Sequence, residues 1–238
     1  MAKNLVNVEQ VSKAFDINSL LTRVSIGISE NDRIGIVGRN GGGKSTLVKI
    51  LAGLIQPDSG KVSRSNSTIF GMLNQVDFLD PKTKVGEYVL EGVNEHEWAR
   101  NSHTREILNG LFGLEAKKML NREFASLSGG EKRRASIAKL LIKPLNLILL
   151  DEPTNHLDVE GVAWLAKYLR ERKNLAVVVI THDRWFLDRI ATHILAFEGN
   201  SEVVWFEGNY QEYAEDYKKR KGADADTPHR VKYRKLDA

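Results

Sequence analysis

No cysteine occurs among the 238 residues, which excludes disulfide frameworks, thiolate zinc sites, cysteine nucleophiles and thiol redox chemistry together. Nor is there a run of about eighteen uninterrupted apolar residues, the length that a membrane-spanning helix requires. The first residues, MAKNLVNVEQ, lack the apolar core of a secretory signal. These absences predict a cytoplasmic chain with no membrane insertion. No internal repeat is found. Net positive charge is also lacking outside one end. The net charge is +4, yet from Lys218 onward eight Lys or Arg stand against three Asp or Glu, leaving 27 basic and 28 acidic residues before that point. The end is therefore predicted to be a mobile basic tail, which either contacts RNA or DNA phosphates or, as a solvated terminus, nothing specific.

Hydrophobic residues make up 42% of the chain, enough for a full core in one large domain or in a domain with a small lobe. Asp32–Val37 is a short apolar run ending in a glycine-rich turn, and Ser45–Leu54 after it has helical spacing. Leu147–Leu150 and Ala176–Ile180 are continuous apolar runs, the pattern of strands buried on both faces of a mainly parallel sheet. Leu5–Val8, Val24–Ile28 and Thr68–Leu73 are expected to form an antiparallel portion with alternating exposure. From Val85 to Leu120 the pattern becomes helical and charged, which suggests a helical lobe. Strands near Ile194–Phe197 and Val203–Phe206 follow, then a charged helix over about Tyr210–Lys221, ended by Gly222-Ala-Asp-Ala-Asp-Thr-Pro228.

Gly38-Arg-Asn-Gly-Gly-Gly-Lys-Ser45 fits the phosphate-binding pattern GxxxxGK[ST] and lies between a predicted strand and a predicted helix. Glycines let backbone N–H groups curl around phosphates, and the helix start adds partial positive charge. Gly38, Asn40, Gly41, Gly42, Gly43, Lys44, Ser45 and Thr46 are the candidate nucleotide-binding residues, with Lys44 on phosphate oxygens and Ser45 on Mg²⁺. An ordinary glycine-rich turn would not place Lys and Ser in register after a strand. Leu147-Ile-Leu-Leu-Asp151-Glu152 is an apolar strand ending in two carboxylates. Asp151 can hold Mg²⁺ while Glu152 orients and deprotonates an attacking water. His182 ends another buried strand and can donate to the γ-phosphate, although a lone histidine would more often be structural. Gln75 can sense the same phosphate or its metal. Phe15 can stack on adenine, although an aromatic there is by default core.

With these residues and Leu127-Ser-Gly-Gly-Glu131 in that order, the chain resembles the ATP-binding cassette (ABC) ATPases to about Tyr217. The resemblance implies an α/β P-loop ABC ATPase domain over residues 1–217, with a mainly parallel core sheet, an antiparallel β portion and a helical lobe at about 85–140. Residues 218–238 would be a basic tail or the start of a linker. It further implies that Ser128, Gly129 and Gly130 bind the γ-phosphate of an ATP held by a second ABC domain. That domain would come from a homodimer partner or from the missing half of a tandem chain. ATP and Mg²⁺ are the cofactors so implied, and Asp158 joins the nucleotide-site residues.

Within the superfamily, Asp151-Glu-Pro-Thr-Asn-His-Leu-Asp158, Thr181-His-Asp-Arg-Trp-Phe-Leu-Asp188 and Glu207-Gly-Asn-Tyr210 resemble the ABC-F branch and its Uup-like members. That branch consists of proteins with two cassettes joined by a charged helical linker, acting on ribosomes in translation or antibiotic protection, with some Uup-like members linked to branched DNA. One phosphate loop and one signature are present here, matching a first cassette. No extra arm fits between Gln75 and Leu127. The alternatives are the motor subunit of a membrane transporter, which the NHLD and GNY motifs disfavour, and an ATP-binding module whose basic tail contacts nucleic acid.

Overall fold

The computed structural model describes residues 3–15, 18–73, 80–92, 95–199 and 202–222. In chain order the strands are β1 (Asn4–Phe15), β2 (Asn18–Ser29), β3 (Arg33–Gly38), β4 (Ser59–Arg64), β5 (Phe70–Leu73), β6 (Leu147–Asp151), β7 (Ala176–Ile180), β8 (His193–Gly199) and β9 (Glu202–Glu207). The helices are α1 (Lys44–Leu51), α2 (Val85–Leu90), α3 (Glu95–Arg100), α4 (Ser102–Phe112), α5 (Ala116–Leu120), α6 (Gly129–Leu141), α7 (Val159–Glu171), α8 (Arg184–Ile190) and α9 (Tyr210–Lys221).

The apolar runs form the middle of a six-stranded sheet ordered β5-β6-β7-β3-β8-β9, parallel except for β9 at its edge. Side chains alternate across it with a period of two. Ile34, Ile36, Leu149 and Val178 pack beneath α1 and a second, antiparallel sheet ordered β2-β1-β4. Ile148, Leu150, Val177 and Val179 face the opposite way, into a core shared with Ile107 and Leu108 of α4, Ile137 of α6 and Leu165 of α7. Burial on both faces is why β6 and β7 read as unbroken apolar runs.

One expectation is corrected. Thr68–Leu73 was assigned to the antiparallel portion, but its Phe70–Leu73 part is β5, paired parallel to β6 from Phe70 against Leu147 to Leu73 against Leu150. Its exposure does not alternate either: Phe70, Gly71 and Met72 are all half-buried and Leu73 is buried, as fits the edge of a parallel sheet, and Gly71 lies against the Leu140 and Leu145 side chains. The third strand of the antiparallel sheet is instead β4, whose polar SGKVSR gives little apolar signal. At the other end α9 runs through Tyr217, where the domain boundary was expected. It is held by an Asn209 cap and by Arg220 on the Glu198 carboxylate at 2.7 Å. The tail beyond residue 222 lies outside the described residues. Among those described, no helix is long and apolar enough to cross a membrane.

The helices around α4 join the sheet through an aromatic wedge. Trp164 of α7 sits where a Cβ on Gly110 of α4 would stand, 1.9 Å from the indole. Trp164 stacks on Tyr168 with ring centroids 5.0 Å apart, and the Tyr168 hydroxyl meets His103 Nε2 at 2.8 Å. Behind this wedge, Arg33 of β3 is only 6% exposed. Its guanidinium donates to the carbonyls of Leu169 at 3.1 Å and Arg172 at 2.6 Å, and to that of Leu175. The cation thus satisfies carbonyls that the C-terminus of α7 leaves open and complements its negative dipole end. Arg33→Met should lower unfolding stability by about 3 kcal/mol, because the carbonyls lose a charged donor without gaining water. Denaturant titration followed by circular dichroism measures the loss.

Candidate functional site

Strand order brings three polar turns to one rim of the sheet. Asp151 at the end of β6 pairs in register with Ile180 at the end of β7, which pairs with Ile36 of β3. The turns that follow these three strands are therefore neighbours, and they carry Glu152, His182 and the glycine-rich loop. With β7 in the middle, His182 stands between the other two. Its Nε2 is 3.0 Å from Asn40 Oδ1 and 3.6 Å from Glu152 Oε1. An amide oxygen only accepts, so Nε2 carries the proton in the Asn40 contact.

The loop is shaped around its lysine. Gly43 adopts φ 97° at the start of α1, and a Cβ there would lie 2.8 Å from the Leu20 carbonyl of β2. Only glycine meets both conditions. The first turn of α1 contains no acidic residue and no side-chain cap, so its N–H groups are available to an anion. Lys44 is 7% exposed, and its ammonium donates to the carbonyls of Gly38 and Arg39 at 2.8 Å each. Burial lowers its pKa from the ordinary lysine range, opposed by the charges of Glu152 and Asp151. The loop is open on its outer side, where the space a Cβ would take on Gly41 meets nothing within 4 Å. Beside it, Ser45 offers a hydroxyl and Asp151 a carboxylate, an all-oxygen set suited to Mg²⁺, which keeps several of its own waters.

Glu152 occupies the left-handed backbone region at φ 48°, a conformation that a non-glycine residue holds only when its surroundings fix it. Its N–H donates to Ile180 O at 2.8 Å, and Arg133 Nη2 donates to the carbonyls of Asp151 and Glu152, each at 2.8 Å. Thr154 and Thr181 hydroxyls meet at 3.0 Å, tying the turn after β6 to that after β7. A groove of about 500 Å³ opens beside Glu152 and His182, lined also by Thr154, Val159 and Trp185.

Ser128, Gly129 and Gly130 lie elsewhere. No hydrogen bond among the described residues joins them to the glycine-rich loop. Ser128 is the N-cap of α6, its Oγ accepting from Glu131 N at 3.3 Å while Glu131 Oε2 accepts from Ser128 N at 2.7 Å. The hydroxyl proton is not used by that box, which leaves it able to donate to an anion at the helix start. Gly130 presses on the turn after β6, where a Cβ would lie 2.6 Å from His156 O. Asp158 caps α7 through Gly161 N at 3.0 Å and accepts from Arg134 Nη2 at 2.8 Å. Phe15 stands 48% exposed at the end of β1, with Lys13 Nζ 5.6 Å from its ring centre. Gln75 lies outside the described residues. Arg133 and Arg134 were not singled out beforehand, because two arginines on a polar helix face give no sign in sequence that they turn inward.

The family model described as ABC transporter matches residues 21–155, more than half of the chain, and the chain belongs to this family of ATP-binding cassettes. Among curated proteins it is similar to the energy-dependent translational throttle protein EttA. The Haemophilus influenzae protein is 38% identical over 237 residues, covering 99% of this chain and 42% of that protein. The Mycobacterium tuberculosis protein is 39% identical over 237 residues, covering 98% and 42%. The ABC-F resemblance is borne out by these relatives, and the chain spans less than half of their length. Among solved structures it is similar to an archaeal ribosome recycling factor crystallised with a ribosomal stalk protein, with 27% identity and a TM-score of 0.76 over 92% of this chain and 42% of that one.

Ser128→Ala should lower stability by about 1 kcal/mol through loss of the α6 cap. Thermal melts of the two proteins, compared at equal concentration, check this value.

Proposed function

We propose that the chain is the ATP-binding and ATP-hydrolysing cassette of an ABC-F protein, closing on a second cassette around ATP and acting in translation. The observation that carries the reading is the convergence of Lys44, Glu152 and His182 on adjacent turns, with Ser128–Gly130 on a separate helix start. The EttA relatives and the ribosome recycling factor support the translation context. A ribosomal partner, or branched DNA as for Uup-like members, is the target class inferred from the ABC-F resemblance.

In this reading the glycine-rich loop from Gly38 to Thr46 wraps the phosphates and Lys44 leaves its two loop carbonyls for phosphate oxygens. Phe15 covers the adenine. Ser45, Asp151 and Gln75 would hold Mg²⁺, which would neutralise charge on the phosphates. Glu152 Oε accepts the proton of the attacking water, and His182 Nε2–H, taken from Asn40, donates to the γ-phosphate. Ser128 and the amides of Gly129 and Gly130 serve the nucleotide of the other cassette, with Asp158 beside them.

Lys44→Ala should weaken Mg-ATP binding at least about tenfold, since a buried charged donor to phosphate is lost. Unchanged affinity for a fluorescent ATP analogue would overturn the loop assignment. Glu152→Gln should keep its affinity for ATP while turnover falls at least about a hundredfold. In that variant, sedimentation or light scattering should show Mg-ATP converting monomer to dimer. A monomer with ATP bound would mean that two copies of this chain do not serve as each other's second cassette.

A further inference from the structure

Strand β1 is bent before it reaches Phe15. Between the pairs Glu9–Lys61 and Ser12–Ser59 it carries one residue more than β4, a bulge that contains Gln10 at φ 49°. Against it, Gly60 of β4 takes φ 86°, and a Cβ there would lie 2.4 Å from the Gln10 carbonyl oxygen. On β2, Arg23 also holds a positive φ of 50°, and its Nε donates to Gln10 Oε1 at 2.7 Å. Such backbone conformations are unfavourable for residues other than glycine, and bulges re-aim the strand that carries them. The segment re-aimed here is the end of β1, residues 13–15.

Beyond Ser12 the pairing with β4 stops, and Asp58, just before β4, takes its place. Its N–H donates to Ser12 O at 2.9 Å, its Oδ2 accepts from Ala14 N at 2.9 Å, and its Oδ1 accepts from the Lys13 ammonium at 2.5 Å. Three consecutive residues are thus fastened to one aspartate. The next residue is Phe15, whose ring centre is 5.6 Å from the same ammonium, a range at which a cation is attracted to the ring. The Lys13 side chain is only 17% exposed, so its charge is held between carboxylate and ring. Phe15 keeps ring surface open to a planar ligand.

The same hairpin reaches the phosphate loop. Ala14 pairs with Ser19 and Phe15 with Asn18, and Leu20 of β2 is the residue whose carbonyl leaves no room for a Cβ on Gly43. Two strand residues, about 7 Å, separate that contact from the Phe15 pair, a distance that a ribose can bridge.

We propose that Asp58 and Lys13 are positioning residues that preset the Phe15 ring for the nucleotide base. The carboxylate fixes the ammonium, the ammonium fixes the ring, and the base stacks on a surface that is already ordered. A loose exposed ring would lose rotamer freedom at the moment of binding, and ordering it beforehand removes that loss. The proposal rests on the reading of Phe15 as the residue that covers the base.

Calorimetry on the 238-residue chain, comparing Mg-ATP with the magnesium salt of ribose 5-triphosphate, tests it. The second ligand has the phosphates and no base, so the ratio of the two affinities isolates the base. Phe15→Ala should lower that ratio at least about fivefold, the lower end of what base–aromatic stacking contributes. Asp58→Asn keeps an oxygen for Ala14 N but not the charge that holds Lys13. It should lower the ratio about threefold while ribose triphosphate binds as it does to the parent. Lys13→Met should do the same, and Lys13→Arg, which keeps the cation, should retain most of the ratio. Phe15→Ala combined with Asp58→Asn should be no lower than Phe15→Ala alone, because both act through one ring. A parental ratio in Asp58→Asn or Lys13→Met overturns the proposal. So does an equal loss of affinity for both ligands, the result of a general loosening of the hairpin. If Asp58→Asn does not fold, Lys13→Met decides alone. Failure of the underlying reading has a different signature, a parental ratio in Phe15→Ala itself.

Discussion

Three parallel strands, β6, β7 and β3, are buried on both faces, and everything chemical in this protein follows from that constraint. Such strands have no exposed face on which to carry polar side chains, so reactive groups are confined to the turns at their ends. Because β7 lies between its neighbours, its terminal turn puts His182 within reach of Asn40 on one side and Glu152 on the other. No single residue of the three would mark a site. Their common rim does, and the rim is fixed by hydrophobic burial some distance away.

The rim was legible in the sequence because each of its turns has local grammar: a glycine-rich loop before Lys44, two carboxylates after an apolar run, a histidine after another. The sequence was less informative where meaning comes from tertiary neighbours. The half-polar Phe70–Leu73 reads alike for an antiparallel strand and for the edge of a parallel sheet, and β4 has too few apolar residues to announce itself. Arg33 looks like the polar start of a strand, yet it is buried because the α7 carbonyls need a donor. Arg133 and Arg134 follow the signature as if they were solvated helix charges, and only the arrival of the β6 turn makes them internal.

Backbone strain is distributed in the same functional sense. Glu152 and His156, neither of them glycine, take positive φ within one short turn. Held by Ile180, Arg133 and the press of Gly130, this turn has little freedom of its own. Its geometry is borrowed from β7 on one side and α6 on the other, so the position of the carboxylate reports on both.

Helix α7 is fastened differently at its two ends. Its C-terminal carbonyls converge on the buried guanidinium of Arg33, which belongs to the central sheet, whereas its N-terminal cap Asp158 is held by the Arg134 side chain of α6. Thirteen residues separate a pivot from a handle, a lever arm of about 20 Å. A tilt of only a few degrees about the Arg33 end would carry Asp158 through more than an ångström. The buried arginine of β3 is in this sense the fulcrum of the molecule.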